Sequence, residues 1–138
     1  GARGLSAGAA ESISLYVYNG TPYIAYKDWA NDGKATVMKY NGSSWVNVGG
    51  PGFSADQVAY VSLKVYGGTP YVAYQDAAYQ SKVTVKKYNG SSWVTVSSAG
   101  FSAGAATYVS LFVDNGTPYV AYRDGGNGGR ATVMKYVP

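Results

Sequence analysis

The chain repeats itself every 48 residues, and no other feature of it constrains the fold as tightly. Thr-Pro-Tyr stands at 21–23, 69–71 and 117–119, and Ser-Leu at 14–15, 62–63 and 110–111. Trp45 and Trp93 keep the same spacing, and Gly-Phe-Ser-Ala at 52–55 returns at 100–103, with Gly-Leu-Ser-Ala at 4–7 as its first copy. These anchors set three copies at 4–51, 52–99 and 100–138. The third stops soon after Lys135-Tyr136, where the others continue Asn-Gly-Ser-Ser-Trp.

Each full copy reads as four short strands. The first, at 12–18, alternates Ile13, Leu15 and Val17 with Ser14, Tyr16 and Tyr18, and its counterparts lie at 60–66 and 108–114. Period-two alternation of this kind predicts half-buried strands. The second strand is predicted at 22–26, 70–74 and 118–122, the third at 35–40, 83–88 and 131–136, and the fourth at 44–48 and 92–96. Asn19-Gly20, Gly67-Gly68 and Asn115-Gly116 join the first strand to the second, while Asn41-Gly42 and Asn89-Gly90 join the third to the fourth. Such dipeptides favour type I′ hairpin turns, which need positive φ at both central residues. The remaining connections are longer, so tight turns gather at one end of the sheet and variable loops at the other. A ligand is expected on the loop end, because binding residues concentrate on loops held by a rigid scaffold. No segment carries a capped 3.6-residue pattern, and essentially no helix is expected.

Four antiparallel strands per copy and a period in the forties predict an all-β chain of β-propeller blades. The unit Ser-Leu-x-Val-x-Asn-Gly-Thr-Pro-Tyr, followed by Ala-Thr-Val-x-Lys-Tyr-Asn-Gly-Ser-Ser-Trp-Val, resembles propeller blades of bacterial secreted and surface proteins. It has Ala-Tyr where kelch repeats carry Gly-Gly, and it lacks the Gly-His and Trp-Asp pairs of WD40 repeats. A β-prism is the rival all-β reading. The expected organisation is one partial propeller over 1–138, the last blade lacking its outer strand. Three blades fall short of the four to eight that close a ring. Completion by oligomerisation is therefore expected, a homodimer giving six blades.

Composition narrows the chemistry. Histidine and cysteine are absent, which removes the commonest general base, thiolate metal sites and disulfides. The net charge of +4 is scattered, so no nucleic-acid stripe is expected, and no apolar run is long enough to span a membrane as a helix. Fifteen tyrosines suit strand faces that are apolar on the ring and wet at the hydroxyl.

Asp28, Asp76 and Asp124 recur after the second strand. They either ring the loop end as ligands or cap the following turn, and capping is the preferred reading. The loop after Asp28 looks superficially like a calcium loop but lacks the ligand spacing and terminal Glu of an EF-hand. Trp29 is unrepeated, its counterparts being Ala77 and Gly125, and it suits sugar stacking or a partner hot spot. Tyr79 and Arg123, the latter bracketing the third loop with Arg130, complete the candidate ligand set. No catalytic residue, metal or cofactor is expected.

The copies agree best in strands and turns and differ in the loops between second and third strands. The first expectation is accordingly a non-catalytic structural or interaction scaffold, a self-assembling propeller fragment of natural or engineered origin, and not an enzyme. The alternative is a carbohydrate-binding lectin with sites on the loop end, akin to short propeller lectins that oligomerise into rings. Its partner would be a glycan, in an extracellular or cell-surface setting.

Overall fold

A computed structural model describes residues 3–137. The alternating segments pair into three antiparallel sheets arranged as propeller blades. The first holds β1 (Ala10–Tyr18), β2 (Thr21–Asp28), β3 (Lys34–Tyr40) and β4 (Trp45–Asn47) in sequential order. The second repeats it with β5 (Val58–Tyr66), β6 (Thr69–Asp76), β7 (Lys82–Tyr88) and β8 (Trp93–Thr95). The third has β9 (Ala106–Asp114), β10 (Thr117–Asp124) and β11 (Arg130–Lys135), with no fourth strand among the described residues.

The first strands β1, β5 and β9 stand side by side as the innermost strands of neighbouring blades. Their alternation decides the core. Val61, Leu63 and Val65 of the second blade pack onto Tyr23, Ala25, Ala35, Val37 and Val48 of the first. Val109, Leu111 and Val113 of the third pack in the same way onto Tyr71, Ala73, Val83, Val85 and Val96 of the second. Each buried Val or Leu contributes roughly 1.5–3 kcal/mol relative to an exposed one.

Polar side chains stitch the junctions where hydrophobic packing alone gives no register. Ser14 Oγ accepts the Leu63 amide at 3.0 Å, and Ser62 Oγ accepts the Leu111 amide at 3.0 Å. The repeated Ser-Leu pair is thus a blade-to-blade latch. The retained Gly-Phe-Ser-Ala segment works alike: Ser54 Oγ accepts the Ala35 amide at 2.9 Å, and Ser102 Oγ accepts the Val83 amide at 3.1 Å.

Three local features depart from expectation. Asn19-Gly20, Gly67-Gly68 and Asn115-Gly116 take positive φ at both residues, but at 41–42 only Gly42 does. There the Asn41 side chain accepts the amides of Ser43 and Ser44, both at 2.9 Å, which makes a four-residue loop instead of a two-residue turn. A three-residue 3₁₀ turn follows each recurring Asp, at Trp29–Asn31, Ala77–Tyr79 and Gly125–Asn127, where no helical turn was expected. Finally, each innermost strand starts earlier than its alternation suggests and carries a β-bulge, with Ser12, Tyr60 and Tyr108 at φ 50°, 51° and 52°.

Burial of tyrosine gives the fold an alkaline limit. Desolvation first, and then the Asp28 charge, push the Tyr26 hydroxyl up to about 12. Burial also raises Tyr23, Tyr71, Tyr74 and Tyr122. The folded state keeps protons that the unfolded chain releases above its ordinary tyrosine value near pH 10, so stability falls as pH rises from about 10 towards 12. In a titration followed by tyrosinate absorbance and circular dichroism, the buried tyrosines are expected to ionise only as the sheet signal collapses. Complete ionisation with the sheet signal intact would contradict this.

Candidate functional site

Loops at one end of the blades form a laced surface. The turn at 29–31 is tied to the preceding segment by the Trp29 amide on the Ala9 carbonyl at 3.1 Å, and Val58 reaches back to the Gly33 carbonyl at 3.0 Å. Equivalent bonds join Ala77 to Gln57 and Ala106 to Ser81, at 3.0 and 2.9 Å. The first two loops are thereby held by the segments before and after them, and the third by the Gly125 amide on the Ala105 carbonyl at 2.8 Å, as a preorganised binding surface requires.

Asp28, Asp76 and Asp124 sit beneath this surface, buried, each at the end of a second strand. Asp28 Oδ1 accepts the Ala30 amide at 3.0 Å, and its Oδ2 accepts Asn31 Nδ2 at 2.8 Å and Thr36 Oγ1 at 2.6 Å. Thr36 Oγ1 in turn accepts the Gly52 amide at 2.9 Å. Asp76 repeats the arrangement with the Ala78 amide at 3.1 Å and Thr84 Oγ1 at 2.7 Å, and Asp124 with Gly126, Asn127 and Thr132. Hydrogen bonds from Asn127 and then Thr132 hold the Asp124 carboxyl below the usual carboxylate range, against the opposing effect of burial. Each carboxylate caps its own turn and ties the loop to the next strand.

The other candidates lie above. Trp29 is exposed, with Lys27 Nζ 4.5 Å from its ring centroid as a cation–π partner. A Cβ at Gly33 would touch Trp29, Lys27 and Gln57, so these three side chains converge there around a residue at φ 75°. Tyr79 is exposed and lies over Gly100 of the following loop, where a Cβ would collide with it. Arg123 is exposed on β10 against Gly129. The fold brings these residues to one end of the molecule, in three different blades. The carboxylates open to solvent at that end are Glu11, Asp32 and Asp56.

Sequence reasoning missed an aromatic pair. Tyr60 and Tyr108 lie on adjacent innermost strands, near their loop ends, with ring centroids 5.1 Å apart and planes at 55°. Both are exposed, and the Tyr60 amide donates to Ser12 Oγ at 3.3 Å. Positive φ at a bulky residue is uncommon, costs of order 1–3 kcal/mol, and gathers at functional sites. The one signal available was a Tyr at the head of the first strand in two copies and Ser12 in the other.

No family model matches the chain, and no curated protein does. Solved structures do. A bifunctional GH43-CE from Bacteroides eggerthii superposes with a TM-score of 0.61 at 16% identity, over 100% of this chain and 21% of that one. The Bacteroides ovatus xyloglucan PUL GH43B gives 0.58 at 13%, over 96% and 28%. A thermostable family-43 glycoside hydrolase gives 0.53 at 14%, over 86% and 43%. The chain thus spans less than half the length of each of these relatives.

Proposed function

We propose that the chain is a carbohydrate-active propeller module that holds a glycan on its loop end. This replaces the expected non-catalytic scaffold and the expectation that the chain is not an enzyme. The solved structures that share its blades are glycoside hydrolases by name. The lack of histidine, which weighed against catalysis, does not count against glycoside chemistry, which runs on paired carboxylates. The observation that carries the reading is the set of exposed rings on laced loops and inner strands: Trp29, Tyr79, Tyr60 and Tyr108. Apolar sugar faces stack on such rings, and a fixed ring loses little entropy on binding.

Affinity electrophoresis through xyloglucan and arabinan tests it. The parent chain is expected to be retarded in at least one of them, and Trp29→Ala and Tyr108→Ala to weaken retention by about two- to tenfold each, as losing one stacking contact of about 0.5–1.5 kcal/mol implies. Migration unaffected by either polymer and by a wider glycan panel would sink the reading.

A second copy of the chain is proposed as the partner that completes the ring. Leu15 is 62% exposed while its repeat counterparts Leu63 and Leu111 are 0% and 1% exposed. Val133 is 67% exposed while Val37 is 1%. The first blade therefore offers the half-interface that β5 and β9 use inside the chain, and the third blade offers the half that receives it. These two halves are different surfaces, so copies associate head to tail, and such a contact forms a closed ring when its rotation allows. Apolar faces of this kind mark association surfaces.

A further inference from the structure

Charge is divided unevenly between the two ends of the blades. The chain has seven acidic residues. Asp28, Asp76 and Asp124 lie beneath the loop end, and Glu11, Asp32 and Asp56 open to solvent there. The opposite end, which carries the β1–β2 and β3–β4 hairpins and their copies, holds the remaining one, Asp114 at the close of β9. Lys39 and Lys87 stand near that hairpin end, on β3 and β7. Each borders a groove of about 530 Å³. In the second blade Thr69, Pro70, Tyr71, Lys87, Tyr88 and Asn89 wall the groove, between the β5–β6 turn and the β7–β8 loop. The same six residue types wall the groove of the first blade, at 21–23 and 39–41. Tyr23 and Lys39 border both grooves, so the two join across the blade junction. The second blade is flanked by the first and the third, which places its groove in the interior of the array.

The walls are fixed from within. Asn89 Oδ1 accepts the amides of Ser91 and Ser92, both at 2.9 Å, and the Asn89 amide donates to the Ser92 carbonyl at 3.0 Å, as Asn41 does one repeat earlier. Tyr23 and Tyr71 pair across the sheet with Lys39 and Lys87. Both rings are buried, at 7% exposure. Burial, and then Tyr18 or Tyr66, raises the two hydroxyls above their ordinary value, so they stay protonated as donors. No Asp or Glu lines either groove. An ammonium beside a phenol hydroxyl, with no carboxylate in the same groove, selects an anion.

We propose that the hairpin end binds an acidic polysaccharide, with one uronate residue in each groove and its carboxylate on Lys39 or Lys87. The volume of each groove falls within the range of about 300–1,000 Å³ typical of small-ligand sites. One ammonium per groove matches one charge per sugar ring, and the joined grooves suit a chain whose charges recur. A nucleic-acid strand fits this surface less well. Single strands are held largely by bases stacked on exposed rings, and the rings of Tyr23 and Tyr71 are covered. The inference does not rest on the loop-end reading, because the grooves lie at the opposite end of the blades from Trp29 and Tyr79.

The test uses the full 138-residue chain and a fluorescein-labelled oligogalacturonate, followed by fluorescence anisotropy. Saturable binding is expected, and the methyl-esterified oligomer, which has lost its charge, should bind at least about tenfold more weakly. That comparison leaves the protein unchanged, so it decides the matter even where a variant folds poorly. Lys39→Gln combined with Lys87→Gln, checked by circular dichroism, should also weaken the charged probe at least about tenfold. Lys34→Gln combined with Lys82→Gln removes the same charge from the loop ends of the same strands, roughly 17 Å away along each strand. At about 0.15 M salt that pair should stay within about twofold of the parent, because separations beyond about 8 Å are screened. Absence of saturable binding, equal binding by the ester, equal loss in the two double variants, or tighter binding by a single-stranded oligonucleotide of the same charge overturns the proposal.

Discussion

Leu15→Asp leaves the chain folded and monomeric, whereas Leu63→Asp, the same change one repeat later, prevents folding. The two leucines occupy one position of the 48-residue unit and differ only in what lies against them. Leu63 is wholly buried within the first junction cluster, and a carboxylate there loses its hydration without a cation to meet it. That costs several kcal/mol beyond the lost apolar burial, a large part of a domain's total stability of about 5–15 kcal/mol. Leu15 faces solvent in the isolated chain, so its replacement costs little until a second copy covers it. Val133→Asp should act like Leu15→Asp from the other half of the interface. Light scattering and thermal denaturation check all three. The parent is expected at twice the chain mass, and the two surface variants at the chain mass with a melting temperature equal to that of the parent monomer. A parent that stays monomeric at micromolar concentration would remove the second-copy proposal while leaving the Leu63 result standing.

How legible this architecture is depends on the range of the contacts involved. Alternation within 12–18 and its copies names Leu63 and Val65 as core directly, because a pleated strand shows its faces through its neighbours in sequence. The same alternation names Leu15, which is exposed, because it shows which face is apolar but not whether anything covers it. Asn-Gly at 19–20 and at 41–42 is one dipeptide with two outcomes, since only in the second does the Asn side chain capture the following amides. The bulges at Ser12, Tyr60 and Tyr108 leave no local mark. They belong to strands that stand against their counterparts 48 residues away, and so does the Tyr60–Tyr108 pair. Trp29 stands out in the sequence because it breaks the repeat, its counterparts being Ala77 and Gly125, and its role as a sugar platform is part of the proposal. The functional class was misread for a related reason. Agreement among strands and turns reports what a blade needs to fold, and enzymes can share the same blade.

Asp76→Ala should lower stability by about 2–4 kcal/mol, roughly 10 °C in melting temperature for a chain of this size, without weakening glycan binding by the molecules that remain folded. The carboxylate is buried and accepts from Thr84 Oγ1 at 2.7 Å and from the Ala78 amide at 3.1 Å. Thr84 Oγ1 itself accepts the Gly100 amide at 2.9 Å, so one deletion leaves the hydroxyl without its acceptor and loosens both loops that meet under Tyr79. Asp76→Asn retains an acceptor oxygen and should cost about half as much. A ligand role predicts the reverse ordering: binding lost in both variants and stability preserved, because a carboxylate awaiting a cation or sugar hydroxyls would not already be bonded within the protein. Measuring melting temperature and glycan retention on the same two variants separates these outcomes. The bonding of Asp76 favours the first, and the same capping at Asp28 makes these two carboxylates the supports on which Tyr79 and Trp29 are mounted, while Asp124 caps a turn of Gly125, Gly126 and Asn127 that carries no ring.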